Sequence, residues 1–347
     1  MARSTGKVRA ARLTDLSALG ELSRRAQGDA EGTRSLGLPV SGPPIGVFSL
    51  FRLPLGAFTP HDVMYVYDRG GHVAGLLRAE RESSRDEWTV VELDAVGDLD
   101  AGDVRYRLVQ HLLRDGAKRG AVRFHVACRD ADDNVELFMQ SGFVRFGDEH
   151  LLFRAPATAL PAPMDEDAAR ALGIREATAH DALALSRLYA AVTPAPVQRL
   201  EALRLPDWER QGRDSRVPRS SLAPILRFAD MEAFVLPAPG GGSDGTQLDG
   251  FAQVGVAKED QPHYLKVMAQ PGADIAPLVR FALGVIATRV DAAGHRQGVL
   301  APVRTYESPV DRRLEEAGFD SIATVTLLMK ETLVRVAEPR LVPASVR

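Results

Sequence analysis

The chain carries a faint repeat of itself, and that repeat limits its fold more than any other feature. Val8-Arg9 is followed by Asp15, Leu19 and Leu22, and Ile174-Arg175 by Asp181, Leu185 and Leu188, each position displaced by 166 residues. In both places a short β-like piece runs into a helix whose leucines recur every three or four residues, one face of a 3.6-residue period. Toward the end of each half, Leu137-Phe138 through Gly142-Phe143 stands against Arg313-Leu314 through Gly318-Phe319, at an offset of 176. A helix ending in Gly, then Phe and a strand, is a C-cap signal both times.

The order of expected elements between these anchors also agrees. The first half reads as strands over 63–67 and 72–79 about the hairpin signature Asp68-Arg-Gly-Gly71, then strand 88–93, helix 104–119, strand 122–126, helix 132–141 and a closing strand 150–154. The second reads as strands 231–236 and 247–258 about the loop 239–246, then strand 264–268, helix 275–292, strand 298–301, helix 308–317 and strand 324–328. Between them Ala155–Leu172, APATALPAPMDEDAARAL, is rich in proline, which removes backbone donors and favours extended chain, so it reads as a linker. The expected organisation is a domain over 1–154, a linker over 155–172, a second domain over 173–335 and a tail over 336–347. At 347 residues, each half is long enough to bury its own core.

Composition removes several classes of function. With 46 acidic against 43 basic residues the net charge is −3, which gives no support for a nucleic-acid binder, whose affinity rests on clustered Lys and Arg. No apolar run approaches the roughly 20 residues a membrane helix needs. The N-terminus is basic but has no apolar core of a signal peptide, and the lone Cys128 has no internal disulfide partner, so a cytoplasmic protein is expected. The eight histidines show no metal-ligand spacing with Cys128 or one another, and no nucleophile elbow or phosphate loop is present; no metal is expected.

The element order, β-α-α-β-β-β-α-β-α-β-β closing on helix-Gly-Phe-strand, resembles the GCN5-related N-acetyltransferase (GNAT) superfamily over roughly 7–154 and 173–334. That resemblance implies two tandem α/β acyl-CoA N-acyltransferase domains, each a mixed sheet whose central strands splay to admit pantetheine, with acetyl-CoA as cofactor and a small-molecule amine as acceptor. A CoA pyrophosphate needs free N–H groups at a helix N-terminus and small residues for close approach; the family motif there is Gln/Arg-x-x-Gly-x-Gly/Ala. In the first half Asp103 and Arg105 fall on the small positions, with Asp98 and Asp100 nearby, so this turn is degenerate. Aspartates there equally serve as helix caps. The second-half turn, Met268-Ala-Gln-Pro-Gly-Ala-Asp-Ile-Ala276, keeps more: Met268, Gln270, Gly272, Ala273, Ile275 and Ala276 are the candidate cofactor contacts, against the alternative of a plain Pro-Gly turn.

The tyrosine that protonates the leaving thiolate in the family is replaced by Phe138 and Leu314, four residues before each Gly. Tyr306, at the start of the last helix, is a candidate substitute, and Glu92 stands at a position that supplies a general base in some relatives. Each has a structural alternative, as a surface tyrosine and a solvent-facing carboxylate. The stretch from Tyr189 through Glu201 to Trp208 reads as inter-domain packing or as an acceptor wall. The functional expectation is an acetyl-CoA-dependent N-acyltransferase with its active site in the C-terminal domain, and a homodimer is possible for it. The rival is a catalytically inactive GNAT-like protein used for binding or assembly; a transferase fed by charged tRNA finds no support in the charge.

Overall fold

The computed structural model describes residues 6–28, 36–38, 62–82, 85–96, 101–131, 133–156, 158–210, 217–239, 247–258, 261–293 and 297–332. Asp98, Asp100, the loop 240–246 and the tail 336–347 lie outside the described residues.

The first half runs β1 (Lys7–Ala10), α1 (Leu16–Gly28), β2 (Asp62–Arg69), β3 (His72–Glu82), β4 (Glu87–Ala95), α2 (Ala101–Lys118), β5 (Arg123–Cys128), α3 (Asn134–Gln140) and β6 (Val144–Arg154). A short helix α4 (Glu166–Ala171) lies within the proline-rich connection. The second half runs β7 (Arg175–Glu176), α5 (Ala182–Val192), α6 (Ala195–Glu201), α7 (Leu205–Glu209), β8 (Phe228–Pro237), β9 (Leu248–Ala257), β10 (His263–Ala269), α8 (Ala276–Ala293), β11 (Val299–Arg304), α9 (Ser308–Glu316) and β12 (Asp320–Glu331).

The matched motifs behave identically. Arg9 grips both carboxylate oxygens of Asp15, at 2.6 and 2.9 Å, while Asp15 also accepts the Arg12 N–H. Arg175 grips Asp181 at 2.8 and 2.5 Å, and Asp181 accepts the Thr178 N–H. Each clamp pins a strand end to the start of a helix. The two Gly-Phe units are true helix stops: Gly142 and Gly318 both have φ 85°, and the Phe143 and Phe319 N–H groups reach back to the Phe138 and Leu314 carbonyls.

All twelve strands form one mixed sheet in the order β1-β2-β3-β4-β5-β12-β6-β11-β10-β9-β8-β7. The last strand of each half has crossed into the other: β12 is paired to β5 and β6, and β6 to β11. The sheet therefore has an approximate two-fold relation about the β12–β6 pair, and neither half closes a sheet alone. Alternation divides the side chains by face. On one face α2 covers Leu77, Leu93 and Phe124, and α8 covers Val254, Leu265 and Val303. On the other face α1 covers Val66 and Leu76, α5 covers Val235 and Phe251, and the segment Val217–Leu226 crosses the middle, packing Leu222 and Leu226 on Leu151, Leu300 and Leu327.

Two forks interrupt the sheet. Parallel strands β4 and β5 pair from Glu87↔Arg123 to Val90↔Val126 and then separate; the β3–β4 register shift at Arg78/Ala79 turns β4 away. Strands β10 and β11 pair only at His263↔Val299 and Tyr264↔Leu300 before parting.

Candidate functional site

The C-terminal fork is filled from within. Strand alternation aims the backbone groups of Pro302 and Arg304 into the gap. Pro302 has no N–H, its carbonyl accepts Lys266 Nζ at 3.2 Å, and the Arg304 N–H donates to Glu307 Oε2 at 3.0 Å. Lys266 Nζ also donates to Glu307 Oε2 at 2.8 Å, and both residues are buried. Glu307 thus bridges the two strands where an incoming chain of amides would have to pair.

The adjoining turn is likewise occupied. Gln270-Pro271-Gly272-Ala273 is a tight turn closed by the Ala273 N–H on the Gln270 carbonyl, with Gly272 at φ 86° as such a turn requires. Met268 and Ile275 are core side chains, in contact with the helices on opposite faces. At the start of α8, the Ala276 N–H is taken by Asp274 Oδ1 at 3.2 Å and Pro277 has none to offer. Two of the first-turn donors that a CoA pyrophosphate would need are thus spent or missing, while a pocket lined by Ala276, Arg280 and Arg313 opens beside the same helix start. The connection from Thr158 to Met164 runs beside α8 and α9. Arg154 anchors it through the carbonyls of Thr158 and Ala159 while also capping Ala317, and a Cβ on Gly284 would stand 3.1 Å from Pro163 Cα.

The N-terminal fork is different. Beneath it, on the face crossed by Val217–Leu226, lies a cavity of about 70 Å³ between the halves. Its walls include Glu80 from β3, Thr89, Val90, His125 and Ala127 from the forked strands, and Glu201, Arg219 and Arg304 from the second half. His125 sits on β5 immediately before the point of separation, its Nε2 3.1 Å from Glu87 Oε2. Burial and the nearby Arg219 charge push the His125 pKa below its ordinary 6.5, against the opposing pull of Glu87, so the ring is neutral at neutral pH. Burial alone would raise Glu87; the His125 hydrogen bond and the charges of Arg219 and Arg85 outweigh it and hold the carboxyl ionised. A neutral imidazole with one nitrogen fixed by a carboxylate has the geometry of an oriented base.

Around this pair runs a chain of buried charge. Glu87 receives Arg85, Arg123 and Arg219; Arg304 contacts Glu149 at 3.1 Å and Glu201 at 3.0 Å; Glu149 in turn accepts the Ser221 N–H at 2.9 Å. Arg85 ties the halves together, donating to the Glu201 carbonyl at 2.6 Å and pairing with Asp207.

The residues singled out from the sequence do not converge. Glu92 lies on β4 paired to Arg78 at 3.3 Å, on the sheet face covered by α1. Tyr306 stands on the second-half side beside Thr193 and Glu201, its phenol pKa raised by burial despite the Arg304 charge. Tyr189 donates to Glu201 at 2.6 Å and rests its ring 5.5 Å from that of Trp208, contacts within the second half; the stretch meets the first half through Arg85 on Asp207 and on the Glu201 carbonyl, and Glu201 walls the cavity. Phe138 and Leu314 are fully buried under the sheet. The sequence reading missed Glu87, His125, Arg219 and Arg304. A weak signal was present, since Glu87 and His125 each sit on the charged face of an otherwise apolar strand.

Among the described residues no helix is long and apolar enough to cross a membrane. The chain matches no protein-family model and no curated protein sequence. Its fold does match solved structures. A tandem GNAT protein from the clavulanic acid biosynthesis pathway superimposes with a TM-score of 0.54 at 13% identity, over 94% of this chain and 98% of that one. A GCN5-related N-acetyltransferase from Sphaerobacter thermophilus gives 0.52 at 16% identity, over 94% and 96%. With two forked half-sheets related by repeat and joined through exchanged strands, the chain has the fold of a tandem GCN5-related N-acetyltransferase.

Proposed function

We propose that the chain is an acyl-CoA-dependent N-acyltransferase that works from its N-terminal half, on a small amine held in the cavity between the halves. The observation that carries this reading is the oriented, neutral His125 at the mouth of the β4–β5 fork, lining that cavity. Gly102, in the first turn of α2, is exposed, and a Cβ there would meet nothing within 4 Å. Acetyl-CoA, when bound, would supply the activated acyl group. For its part the chain would present β4 backbone groups along the fork, take a proton from the ammonium on His125, and keep that ring oriented through Glu87. The exchanged strands place second-half residues, Glu201 and Arg304, in the wall of the same cavity, which supports a role for both halves in holding the acceptor.

A second reading, a binding or assembly protein without catalysis, is favoured by the internally satisfied C-terminal fork and by Phe138 and Leu314 in place of tyrosine. Calorimetric titration with acetyl-CoA separates the two, beside Gly102→Glu and Ala276→Glu, each placing a carboxylate at one helix start. Micromolar binding lost only in Gly102→Glu supports the proposal. Loss only in Ala276→Glu returns the site to the C-terminal turn around Gln270 and Ala276. No heat at millimolar acetyl-CoA leaves the binding protein.

A further inference from the structure

The Glu87 carboxylate beneath the N-terminal fork is divided between the two halves. Its Oε1 accepts first-half donors, from Arg85 at 3.1 Å and Arg123 at 3.2 Å. Its Oε2 meets His125 Nε2 at 3.1 Å and also pairs with Arg219, which belongs to the second half. The imidazole and that guanidinium thus share one buried oxygen. Arg219 is held there by second-half packing. Val217 is buried in the core under α5, and the Arg219 carbonyl accepts Arg304 Nη2 at 3.2 Å. The Tyr264 hydroxyl donates to Ser220 Oγ at 2.9 Å, and Leu222 and Leu226 pack over Leu151, Leu300 and Leu327.

The charges around His125 decide the state of its ring. Glu87 faces it from β4, Arg123 shares its strand, and Arg85 approaches Glu87 from the β3–β4 turn. Glu80 and Glu82 on β3, Glu201 on α6 and Arg304 on β11 line the same cavity, and β12 sets the apolar Met329 in register with His125. A buried carboxylate bonded to an imidazole draws a second proton onto the ring, because imidazolium and carboxylate attract each other. An arginine on the same oxygen offsets that attraction and sets a like charge beside any imidazolium. The carboxylate then orients a neutral ring without charging it. Burial lowers the His125 pKa and the Arg219 charge lowers it further, against the pull of Glu87.

We infer that Arg219 is a positioning residue for His125: through Glu87 Oε2 it keeps the imidazole neutral, protonated on Nε2 and unprotonated on Nδ1. The base carried by one half is therefore set by the other. This deepens the proposed function, and the catalytic use of the ring rests on that reading.

The test reads the ring directly, in the full chain without CoA or acceptor. NMR spectra correlating ring nitrogens with ring protons, assigned with His125→Gln, give the tautomer and titration of His125 in wild type, Arg219→Lys and Arg219→Met. Wild type is expected to carry its proton on Nε2 and to titrate below pH 6.5. The midpoint is expected to shift upward in Arg219→Met, and to stay nearer wild type in Arg219→Lys, which keeps the charge. An unchanged His125 titration in Arg219→Met, shown by thermal melt to be folded, overturns the inference. If that variant does not fold, wild type decides: a ring protonated on Nδ1, or titrating at pH 6.5 or above, overturns it. In acyl transfer, the acid limb of the pH–rate profile should move upward in Arg219→Met by the same interval as the ring. An equal loss of rate at every pH marks a merely structural role and overturns the inference. A shifted ring titration with no acyl transfer at any pH leaves the positioning role standing and removes the transferase reading. An acid limb that depends on His125 but stays in place in Arg219→Met does the reverse.

Discussion

Lys266 and Glu307 meet at 2.8 Å across the gap between β10 and β11, both buried, and so close from within the fork that a tandem fold would otherwise leave open. The pair distinguishes the two halves in structure: one fork carries its own bridge, the other opens on a cavity.

Because the pair is buried, removing one partner is more harmful than removing both. Lys266→Ala should cost about 3–5 kcal/mol of unfolding free energy, since Glu307 would remain charged and desolvated. Lys266→Met with Glu307→Gln should recover most of that loss. Denaturant unfolding of the two single variants and the double variant measures the coupling; additive losses would show that the pair does not act as a unit.

The two helix stops give a paired test. Gly142→Ala and Gly318→Ala each force an alanine to φ 85°, at about 1 kcal/mol or more. Gly142→Ala should cost the larger amount, because its Cβ would collide with Lys330 Nζ and displace the Lys330 bond to the Ser141 carbonyl. At Gly318 the nearest atoms stand at 3.5 Å and beyond. Thermal melts of both variants rank them.

Acid should loosen the two clamps together. The Arg9 hydrogen bond lowers the Asp15 pKa below its ordinary 3.8; at Asp181 burial opposes, and the bonds from Arg175 and Thr178 prevail. Their stabilisation is complete above the unfolded value and lost as pH falls through the lower folded value, so stability should decline below about pH 4. Asp15→Asn with Asp181→Asn should lower stability at pH 7 and flatten its dependence on pH between about 4 and 2. Unfolding curves across that range decide it.

If His125 is the base, His125→Gln should lower the acyl-transfer rate on the order of 10²–10⁴-fold while leaving acetyl-CoA affinity unchanged. The wild-type pH–rate profile should fall on its acid side at a pH below 6.5, because burial and Arg219 lower the imidazole pKa and only the neutral ring accepts a proton. A profile whose acid limb survives in His125→Gln would assign the proton to another group.

Much of the local structure was legible in the chain. The helix expected over 104–119 is α2 at Ala101–Lys118, and the one over 275–292 is α8 at Ala276–Ala293, because both carry apolar residues at helical spacing and clear stops. The sequence reads Ala155–Leu172 as linker, whereas its last part, Glu166–Ala171, is a helix that buries only Ala169. The strand expected over 150–154 begins earlier, at Val144, because its extra length is paired with β12 rather than with a local neighbour.

The sequence by itself determined the order of elements and the Gly-Phe stops, since each is set by residues within a few positions of one another, and the repeat, since the same local patterns recur at offsets of 166 and 176; the Arg-Asp clamps fall on positions that repeat. Tertiary structure alone decided that β12 would enter between β5 and β6, a pairing such as Leu327↔Ala127 that joins residues 200 apart and leaves no trace in local periodicity. The same crossing created the cavity. Glu87, His125, Arg219 and Arg304 are unremarkable polar residues along the chain, and they become a candidate site because desolvation between two half-sheets makes each depend on the others.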